Sequence, residues 1–195
     1  MSRPNIIFII SAPSGAGKTT LVNALLQADP RLHNTITHTT RKKRPDEANG
    51  VHYHFVSQEQ FTTLKEQGFF VETAEIYGEN YGTSKTAIEN ILAKNQDVLI
   101  NMDWQGARNL RSAFANDNTP IVSIFVLPPS INELRTRMLA RGDENTHEIE
   151  ARLKAAEAEI AHASEYDYHI TNDDFNAALE DLTAIIRAAR TRTQH

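Results

Sequence analysis

Ile6-Ile7-Phe8-Ile9-Ile10, followed at once by Ser11-Ala12-Pro13-Ser14-Gly15-Ala16-Gly17-Lys18-Thr19, is the stretch that decides the fold. The run of β-branched and aromatic residues predicts a buried strand of a parallel sheet. A loop of small residues follows, and Gly-Lys-Thr opens a helix. This order is typical of a phosphate-binding loop, in which backbone N–H groups and the positive end of a helix hold phosphate oxygens.

The loop and the start of the helix are therefore the candidate binding site for a nucleoside triphosphate. Lys18 is expected to reach the β- and γ-phosphates, and the Thr19 hydroxyl to ligate Mg²⁺. The common pattern has glycine where this chain has Ala12, but Gly15 and Gly17 still supply the tight turn. The alternative is a chance glycine-rich turn before a helix. The predicted ATP-binding residues here are Ala12, Pro13, Ser14, Gly15, Ala16, Gly17, Lys18 and Thr19.

Bulk composition excludes several other classes of protein. With 195 residues, 40% of them hydrophobic, the chain is long enough for one domain with a sizeable core. It has no cysteine, which rules out disulfides and thiolate metal sites. A net charge of -5 argues against a broad nucleic-acid-binding surface, and no apolar run has the length of a membrane span. The short segment before the first strand leaves no room for a signal peptide. We therefore expect a cytoplasmic protein, either a monomer or a small homo-oligomer, without nucleic-acid or membrane partners.

The order of predicted elements indicates an α/β fold in which helices flank a mainly parallel sheet. Buried strands are predicted at residues 6–10, 97–102 and 121–127, with helical patterns between them. Two segments fit this core poorly. Residues 36–84 contain short strands and loops, with strands expected at 36–40, 52–56 and 69–76. Residues 138–160 are highly charged and have almost no apolar stripe of their own.

Beyond the phosphate-binding loop, several further motifs stand in order, and together with the loop they resemble the guanylate kinase family. They are Thr39-Thr40-Arg41-Lys42-Lys43-Arg44-Pro45, Gly50-Val51-His52-Tyr53, Tyr81-Gly82-Thr83-Ser84, Asp103-Trp104-Gln105-Gly106 and Asn172-Asp173-Asp174. The resemblance implies a P-loop NTPase-type core with a small mixed β/α arm for GMP and a helical lid. It implies one domain over residues 4–187: a core of 4–35, 85–137 and 161–187, a GMP-binding arm of 36–84 and a lid of 138–160.

Two arginines three residues apart, Arg41 and Arg44, lie in a polar loop. Guanidinium groups bind phosphate oxygens in pairs, so two of them can clamp one phosphate. A solvated basic loop is the simpler interpretation of these residues alone. The family resemblance implies that both arginines, with Tyr53 and Tyr81, contact the phosphate of GMP.

Glu72 lies in a predicted strand and is the candidate reader of the guanine base. A carboxylate accepts hydrogen bonds from two adjacent donors, the N1–H and the 2-amino group of guanine, whereas adenine has an acceptor at N1 and no 2-amino group. Alternation along the strand equally allows an outward-facing side chain. The resemblance places Glu72 in the base-reading role, with Thr37, Thr83 and Asp103 as further contacts to GMP.

Asn101 is the departure from the family pattern Asp-x-Asp-x-Gln-Gly, because this chain has Asn101-Met102-Asp103-Trp104-Gln105-Gly106. The first acidic residue of that pattern resembles one that helps to hold Mg²⁺ or its waters. An amide keeps an oxygen ligand and loses the charge. Thr19 is therefore the only metal ligand predicted here, unless Asp103 takes over part of the metal binding.

Three arginines near the lid complete the set that the resemblance implies: Arg137, Arg141 and Arg152. Cations around the transferred phosphoryl group lower the barrier to its transfer. The simpler interpretation is helix-surface charge paired with glutamates such as Glu144, Glu148 or Glu157. The implied catalytic residues are Lys18, Arg41, Arg137, Arg141 and Arg152. Asn172 and Asp173 are implied to lie near the adenine or its ribose.

The implied activity is transfer of a phosphoryl group from ATP to GMP, giving ADP and GDP, as a step in guanine nucleotide synthesis and recycling. Two alternatives stay open from the residues. One is a P-loop kinase of another small phosphorylated acceptor, such as a ribose phosphate. The other is a non-catalytic, guanylate-kinase-like module that binds proteins, although such modules typically lose the loop lysine or the lid arginines, which are present here.

Overall fold

Strands and helices alternate along almost the whole chain in the computed structural model, which describes residues 5–76, 78–140 and 146–192, and side chains from residue 149 onward in the last range. The strands are β1 (Ile7–Ser11), β2 (Leu32–Asn34), β3 (His38–Thr39), β4 (His54–Phe55), β5 (Phe70–Ile76), β6 (Glu79–Ser84), β7 (Asp97–Asn101), β8 (Ile121–Leu127) and β9 (Tyr168–Thr171). The helices are α1 (Lys18–Ala28), α2 (Gln58–Glu66), α3 (Lys85–Leu92), α4 (Trp104–Ala113), α5 (Ile131–Ala140), α6 (Thr146–Ile160) and α7 (Phe175–Thr191), with a short 3₁₀ turn at Ala163–Glu165.

The main sheet has five parallel strands in the order β2-β7-β1-β8-β9. β1 is in the middle, with Phe8 beside Leu99 of β7 and Val122 of β8. All five residues of β1 are buried, as expected for a strand covered by helices on both faces. The predicted parallel sheet flanked by helices is thereby confirmed.

Side chains of β1 alternate between two apolar layers. Phe8 and Ile10 pack with Leu21 of α1 and Leu182 of α7. Ile7 and Ile9 face the other layer, which is formed with Ile88 of α3 and Leu110 of α4. Because both faces of the central strand are covered, the loop after Ser11 starts from a rigid base at the carboxyl edge of the sheet.

A second, smaller sheet in the order β4-β3-β6-β5 forms the part of the chain predicted to bind GMP. β3 pairs parallel with β4 and antiparallel with β6, and β5 pairs antiparallel with β6. Helix α2 begins at a capping box in which the Ser57 hydroxyl accepts from the Gln60 N–H and the Gln60 side chain accepts from the Ser57 N–H. Phe61 of α2 stacks on Phe70 of β5, with ring centroids 4.7 Å apart.

Helices α5 and α6 have a core of their own, so the expectation that residues 138–160 have almost no apolar stripe was wrong. Leu134 and Met138 of α5 pack against Ile149, Leu153 and Ala156 of α6. These apolar residues are spaced at helical intervals among many charged ones, and the high charge of the segment obscured them.

The strands of the smaller sheet also differ from the prediction. The strand expected over 36–40 is shorter in the structure and contains only His38–Thr39. Strand β6, at residues 79–84, was not predicted, because its sequence is mostly polar and contains Gly82. Gly82 faces the ring of Phe70, where an added Cβ would approach the ring to 2.8 Å. None of the described helices is both long and apolar enough to cross a membrane.

Candidate functional site

The phosphate-binding loop leaves the end of β1 and turns sharply into α1. Gly15 and Gly17 both have positive φ, at 90° and 89°, and the Ala16 N–H donates to the Pro13 carbonyl at 3.2 Å. Ala12, the departure from the common pattern, is buried in the apolar layer beside α1. Its methyl group therefore contributes to packing and leaves the turn to the two glycines.

Asn172 stabilises this loop through a side-chain hydrogen bond. Its buried side chain donates from Nδ2 to the Ala16 carbonyl at 2.7 Å, and its backbone N–H donates to the Leu127 carbonyl at 2.8 Å. A Cβ added at Gly17 would lie 2.3 Å from the same Nδ2 atom. Gly17 is thus required both by its positive φ and by the close approach of Asn172. Asp173, the neighbouring predicted ligand, is exposed, and its role stays a prediction.

Lys18 extends from the first residue of α1 toward the end of β7, where its ammonium donates to the Met102 carbonyl at 3.4 Å. Burial lowers the pKa of Lys18, and the carboxylates of Glu159 and Asp103 oppose that shift. The loop lysine therefore interacts electrostatically with two acidic side chains, one on α6 and one at the start of α4, in the place where anionic phosphates are predicted to bind.

Glu159, in the last turn of α6, was not predicted as a site residue. Burial raises its pKa to about 7, the Lys18 ammonium lowers it and the Asp103 carboxylate raises it further. The following residues hold the end of α6 near Asp103, because the His162 ring stacks on Trp104 with centroids 3.8 Å apart. No sequence signal marks Glu159, because the residue that continues the apolar stripe Ile149, Leu153 and Ala156 is its neighbour Ile160.

Glu72 is buried, with 6% of its surface exposed, so the interpretation that it faces solvent does not hold. Its Oε1 atom accepts from the Thr83 hydroxyl at 2.6 Å. Burial raises the pKa of Glu72 to about 7, the Thr83 hydrogen bond opposes this and the Asp103 charge adds to it. The structure thus brings together three residues that the sequence predicted as contacts to guanine: Glu72, Thr83 and Asp103.

Asp103 connects this cluster with the phosphate-binding loop. It caps α4 through a hydrogen bond from the Gly106 N–H to Oδ1 at 2.9 Å. Burial raises the pKa of Asp103, while the Gly106 N–H and the Lys18 ammonium lower it. Gly106 leaves little room, since an added Cβ would be 3.0 Å from the Glu72 carboxylate. One acidic side chain therefore lies near both the buried Glu72 and Lys18.

The residues predicted to clamp the phosphate of GMP also lie together. The Arg41 guanidinium lies 5.3 Å from the centre of the Tyr53 ring, and the Tyr53 and Tyr81 rings meet edge to face at 6.2 Å. Arg44, in the same loop as Arg41, is exposed. Thr37, the remaining predicted contact, immediately precedes β3, and its carbonyl accepts from the His54 N–H at 2.9 Å.

Of the three predicted lid arginines, Arg137 has the clearest position. Its Nε donates to Glu133 at 3.0 Å and its Nη1 to the Asn172 carbonyl at 3.1 Å. Arg137 therefore contacts the residue whose side chain is hydrogen-bonded to the phosphate-binding loop. Its ion-pair partner is one turn back on α5 and is not one of the glutamates predicted from the sequence. Arg152 lies on α6 with a half-buried side chain, and Arg141 lies outside the described residues.

No group of three histidine, aspartate or glutamate side chains converges as a metal site within the ranges that the structure describes. His38 and His54 instead stack on each other in the small sheet, with centroids 4.5 Å apart. Burial and the neighbouring His54 lower the pKa of His38 to about 4. The oxygen-bearing residues Asn101 and Asp103 stand at and just after the end of β7, and Thr19 is the second residue of α1.

Comparison with known proteins assigns this arrangement to a family. The model of the guanylate kinase family matches residues 4–189. The chain belongs to the guanylate kinase family. A guanylate kinase of Photobacterium profundum is 50% identical over 186 residues, covering 94% of this chain and 88% of that protein. A guanylate kinase of Alkalilimnicola ehrlichii is 46% identical over 191 residues, covering 98% of this chain and 92% of that protein.

Solved structures agree with this guanylate kinase assignment. The crystal structure of guanylate kinase from Anaplasma phagocytophilum superposes with a TM-score of 0.82 at 33% identity, covering 99% of this chain and 89% of that one. An uncharacterised protein from Eubacterium ventriosum superposes with a TM-score of 0.52 at 15% identity, which indicates a shared fold alone. The alternatives of another P-loop kinase and of a non-catalytic module receive no support from these relatives.

Proposed function

We propose that the site transfers the γ-phosphoryl group of ATP to the phosphate of GMP, giving ADP and GDP. The observation that carries this proposal is the chain of neighbours from the base-reading cluster to the phosphate-binding loop. Buried Glu72 lies near Asp103, and Asp103 lies near Lys18. A group suited to guanine and a group suited to triphosphate therefore belong to one continuous site.

Glu72 selects guanine over adenine because its ionised carboxylate accepts from N1–H and the 2-amino group. The Thr83 hydroxyl already holds one carboxylate oxygen and fixes the side chain in its pocket. Adenine offers an acceptor opposite the carboxylate and would leave a buried charge unpaired, which costs much more than a missing contact. Thr37 and Asp103 complete the proposed contacts with the nucleoside.

Arg41, Arg44, Tyr53 and Tyr81 orient the acceptor phosphate. Two guanidinium groups neutralise its charge, and the tyrosine hydroxyls supply hydrogen bonds at fixed positions. The acceptor is already an anion, so this reaction needs no general base. The chain contributes by placing the attacking oxygen in line with the γ-phosphate and by keeping water away from it.

Lys18 and the three lid arginines stabilise the charge that spreads over the γ-phosphoryl oxygens during transfer. The backbone N–H groups of the loop at residues 12–17 hold the other phosphates. Arg137 supports this region through the Asn172 carbonyl, next to the loop. Asn172 and Asp173 are proposed to lie by the adenosine end of ATP, with the Asn172 amide also bracing the loop.

The oxygen groups at the edge of the main sheet fit Mg²⁺, which prefers hydroxyl, amide, carboxylate and phosphate oxygens. Thr19 would hold the ion, and the neutral Asn101, with Asp103 nearby, would supply less charge than two carboxylates. When bound, Mg²⁺ would neutralise part of the negative charge on the phosphates of ATP. Chelation of divalent ions is expected to abolish transfer, and Thr19→Ala to raise the Mg²⁺ concentration that gives half-maximal rate.

In the cell this activity belongs to guanine nucleotide synthesis and recycling in the cytoplasm, carried out by a monomer or a small homo-oligomer. GMP and ATP are its proposed partners, without nucleic acid or membrane. The proposed organisation is a single domain over 4–187 with its core, GMP-binding arm at 36–84 and lid at 138–160.

A panel of acceptors tests the proposal. ADP release is measured with GMP, AMP, UMP and CMP at saturating Mg²⁺ and ATP. We expect rapid release with GMP and a kcat/KM at least about 10⁴-fold lower with AMP, because Glu72 would remain unpaired. Equal rates with AMP would remove the argument from Glu72. Release with none of the four would favour the non-catalytic module, and release with a ribose phosphate alone would favour the other kinase.

A further inference from the structure

Glu47, in the loop between β3 and β4, has both carboxylate oxygens bound within the loop. Oε1 accepts from Arg41 Nη2 at 2.6 Å, and Oε2 accepts from the backbone N–H of Arg44 at 2.8 Å. Its side chain is only 10% exposed, although most of its neighbours in the loop are exposed. Arg41 and the Arg44 N–H hold the pKa of Glu47 below its usual range against the effect of burial. The carboxylate is therefore charged and fixed at neutral pH.

Arg41 is held on its other sides as well. Its Nη1 donates to the Lys42 carbonyl at 2.8 Å, and its guanidinium lies 5.3 Å from the Tyr53 ring centre and 5.7 Å from that of Phe55. The bonds to Glu47 and Lys42 use two of its five N–H donors. Tyr81 also interacts with the guanidinium and raises its pKa against the effect of burial, so the side chain has lost most of its rotational freedom before any ligand binds.

We propose that Glu47 is a positioning residue for GMP, which acts by presenting Arg41 in the orientation that binds the GMP phosphate. This inference rests on the proposed function, in which Arg41 contacts that phosphate. Ordering a long arginine side chain costs conformational entropy at binding, and a side chain that is already ordered avoids that cost. Glu47 also ties Arg41 to the backbone at Arg44, so it sets the relative position of the two arginines.

The opposite role is competition, in which the carboxylate takes the place of the phosphate and must leave before GMP binds. The geometry favours positioning, because Oε2 is bound to the Arg44 backbone and the carboxylate cannot turn away without losing both hydrogen bonds. Positioning and competition predict opposite changes in KM for GMP when Glu47 is removed. Kinetics therefore separate them.

The test compares the single variants Glu47→Gln, Glu47→Ala and Asp46→Asn. It also compares Arg41→Ala with the double variant Arg41→Ala/Glu47→Ala. Asp46 is the matched control: it has the same charge in the same loop and is exposed, and no hydrogen bond or ion pair of its side chain is seen among the described residues. We expect Glu47→Ala to raise KM for GMP about tenfold or more, as for loss of a charged hydrogen-bond partner. KM for ATP and kcat should change much less. The KM for GMP of Glu47→Gln, which retains an acceptor, should lie between the values of wild type and Glu47→Ala.

The double variant shows whether Glu47 acts through Arg41. If it does, adding Glu47→Ala to Arg41→Ala raises KM for GMP little further. Additive effects, or a KM for GMP that is unchanged or lowered in Glu47→Ala, would overturn the inference. Thermal melts show whether each variant folds. If Glu47→Ala does not fold, the KM for GMP of Glu47→Gln, compared with that of Asp46→Asn, tests the inference. If Arg41→Ala leaves KM for GMP unchanged, the assignment of the phosphate site itself is overturned. If Arg41→Ala raises KM for GMP but the Glu47 variants keep the wild-type value, only the inference about Glu47 is overturned.

Discussion

In the proposed function, protonation of a single carboxyl group, that of Glu72, is expected to control how the site accepts guanine. In the free protein its pKa lies at about 7, because the side chain is buried beside Asp103. Guanine presents donors, so it binds the ionised carboxylate. Below pH 7 the carboxyl is increasingly neutral in the free protein, and part of the binding free energy is used to remove its proton.

The KM for GMP should therefore rise as pH falls below 7, approaching a tenfold increase per pH unit, and should level off above pH 8. Steady-state kinetics between pH 5.5 and 8.5, at saturating ATP, measure this. The phosphate of GMP titrates at about pH 6 and adds its own dependence, so Glu72→Gln is the control. In that variant the contribution of Glu72 should be lost, and any remaining dependence comes from the phosphate and from Glu159, whose pKa burial also raises to about 7. Identical pH profiles for wild type and variant would contradict the role of Glu72.

Asn101 gives a prediction about the metal. Replacing it by aspartate restores the acidic residue of the family pattern at the end of β7, next to the loop. Asn101→Asp should lower the Mg²⁺ concentration for half-maximal rate, since a carboxylate attracts the ion more strongly than an amide does. A Mg²⁺ titration of the initial rate, with ATP concentration held fixed, checks this. An unchanged or higher Mg²⁺ requirement would show that Asp103 or the phosphates already supply the charge.

Sequence and family resemblance named candidate site residues, whose roles stay predictions, but could not show how they pair. Glu72 was assigned through the resemblance, because alternation along the strand left its direction open, and the structure shows that it is buried beside Asp103. Glu47 and Glu159 were missed, since in the sequence they are acidic residues among many. Glu47 matters through its contact with Arg41 in the same loop, and Glu159 through its interaction with Lys18, which is far away in the sequence. The sequence pattern predicts neither interaction.

At the scale of elements, the junction between β1 and α1 depends on Gly17. Alanine there combines a positive φ with a clash against Asn172 Nδ2. We expect Gly17→Ala to lower kcat/KM for ATP by about 100-fold, because the displaced loop misplaces the phosphates. Gly50→Ala is the matched control, with a φ of 76° and no atom within 4 Å of the added Cβ. Equal activity of the two variants would show that the Asn172 contact does not matter.

The C-terminal helix is tied to the main sheet by a buried ion-pair cluster. Arg190 of α7 pairs with Asp29 at the end of α1 and with Asp97 at the start of β7, where Nε and Oδ2 are 2.8 Å apart. Asp97 is fully buried and also accepts from the Ile6 N–H at 2.9 Å. The cluster thus connects three elements that are far apart in sequence.

Removing the arginine takes away a cation that both the buried Asp97 and the half-buried Asp29 bind. Arg190→Leu should lower the free energy of unfolding by about 3 kcal/mol, as expected when one partner of a buried ion pair is lost. Arg192→Leu, at an exposed position two residues later, is the control and should change it by less than about 0.5 kcal/mol. Urea unfolding followed by circular dichroism measures both. A loss in Arg190→Leu no larger than in the control would contradict this account.

Strands with long apolar runs were predictable with nearly correct bounds, whereas β2 was missed and β3 and β4 are shorter than the strands predicted over 36–40 and 52–56. The strands at Ile7–Ser11, Asp97–Asn101 and Ile121–Leu127 follow from long apolar runs. β2 (Leu32–Asn34) is half polar, and it forms because β7 provides a parallel partner for it. β3 (His38–Thr39) is likewise defined by its neighbours β4 and β6 rather than by its own residues.

At the scale of the whole molecule, the two sheets carry different parts of the proposed site. The five-stranded sheet supports the phosphate-binding loop, and the four-stranded sheet carries Glu72, Thr83 and the tyrosines of the proposed GMP site. Helix α4 joins them, since its cap Asp103 lies near groups on both sides. The fold class was predictable from the order of elements, whereas the meeting of the two sites depends on packing between residues far apart in sequence, Glu72 and Asp103 being 31 residues apart and Lys18 and Asp103 being 85.

The central claim is that a phosphoryl group passes directly from ATP in the loop to GMP in the small sheet. The most direct measurement follows the label from ATP carrying ³²P in its γ-phosphate, with GMP as acceptor and Mg²⁺ present. The account predicts that the label appears in the β-phosphate of GDP, in amounts equal to the ADP formed. Label released mainly as inorganic phosphate, or absent from GDP, would contradict it.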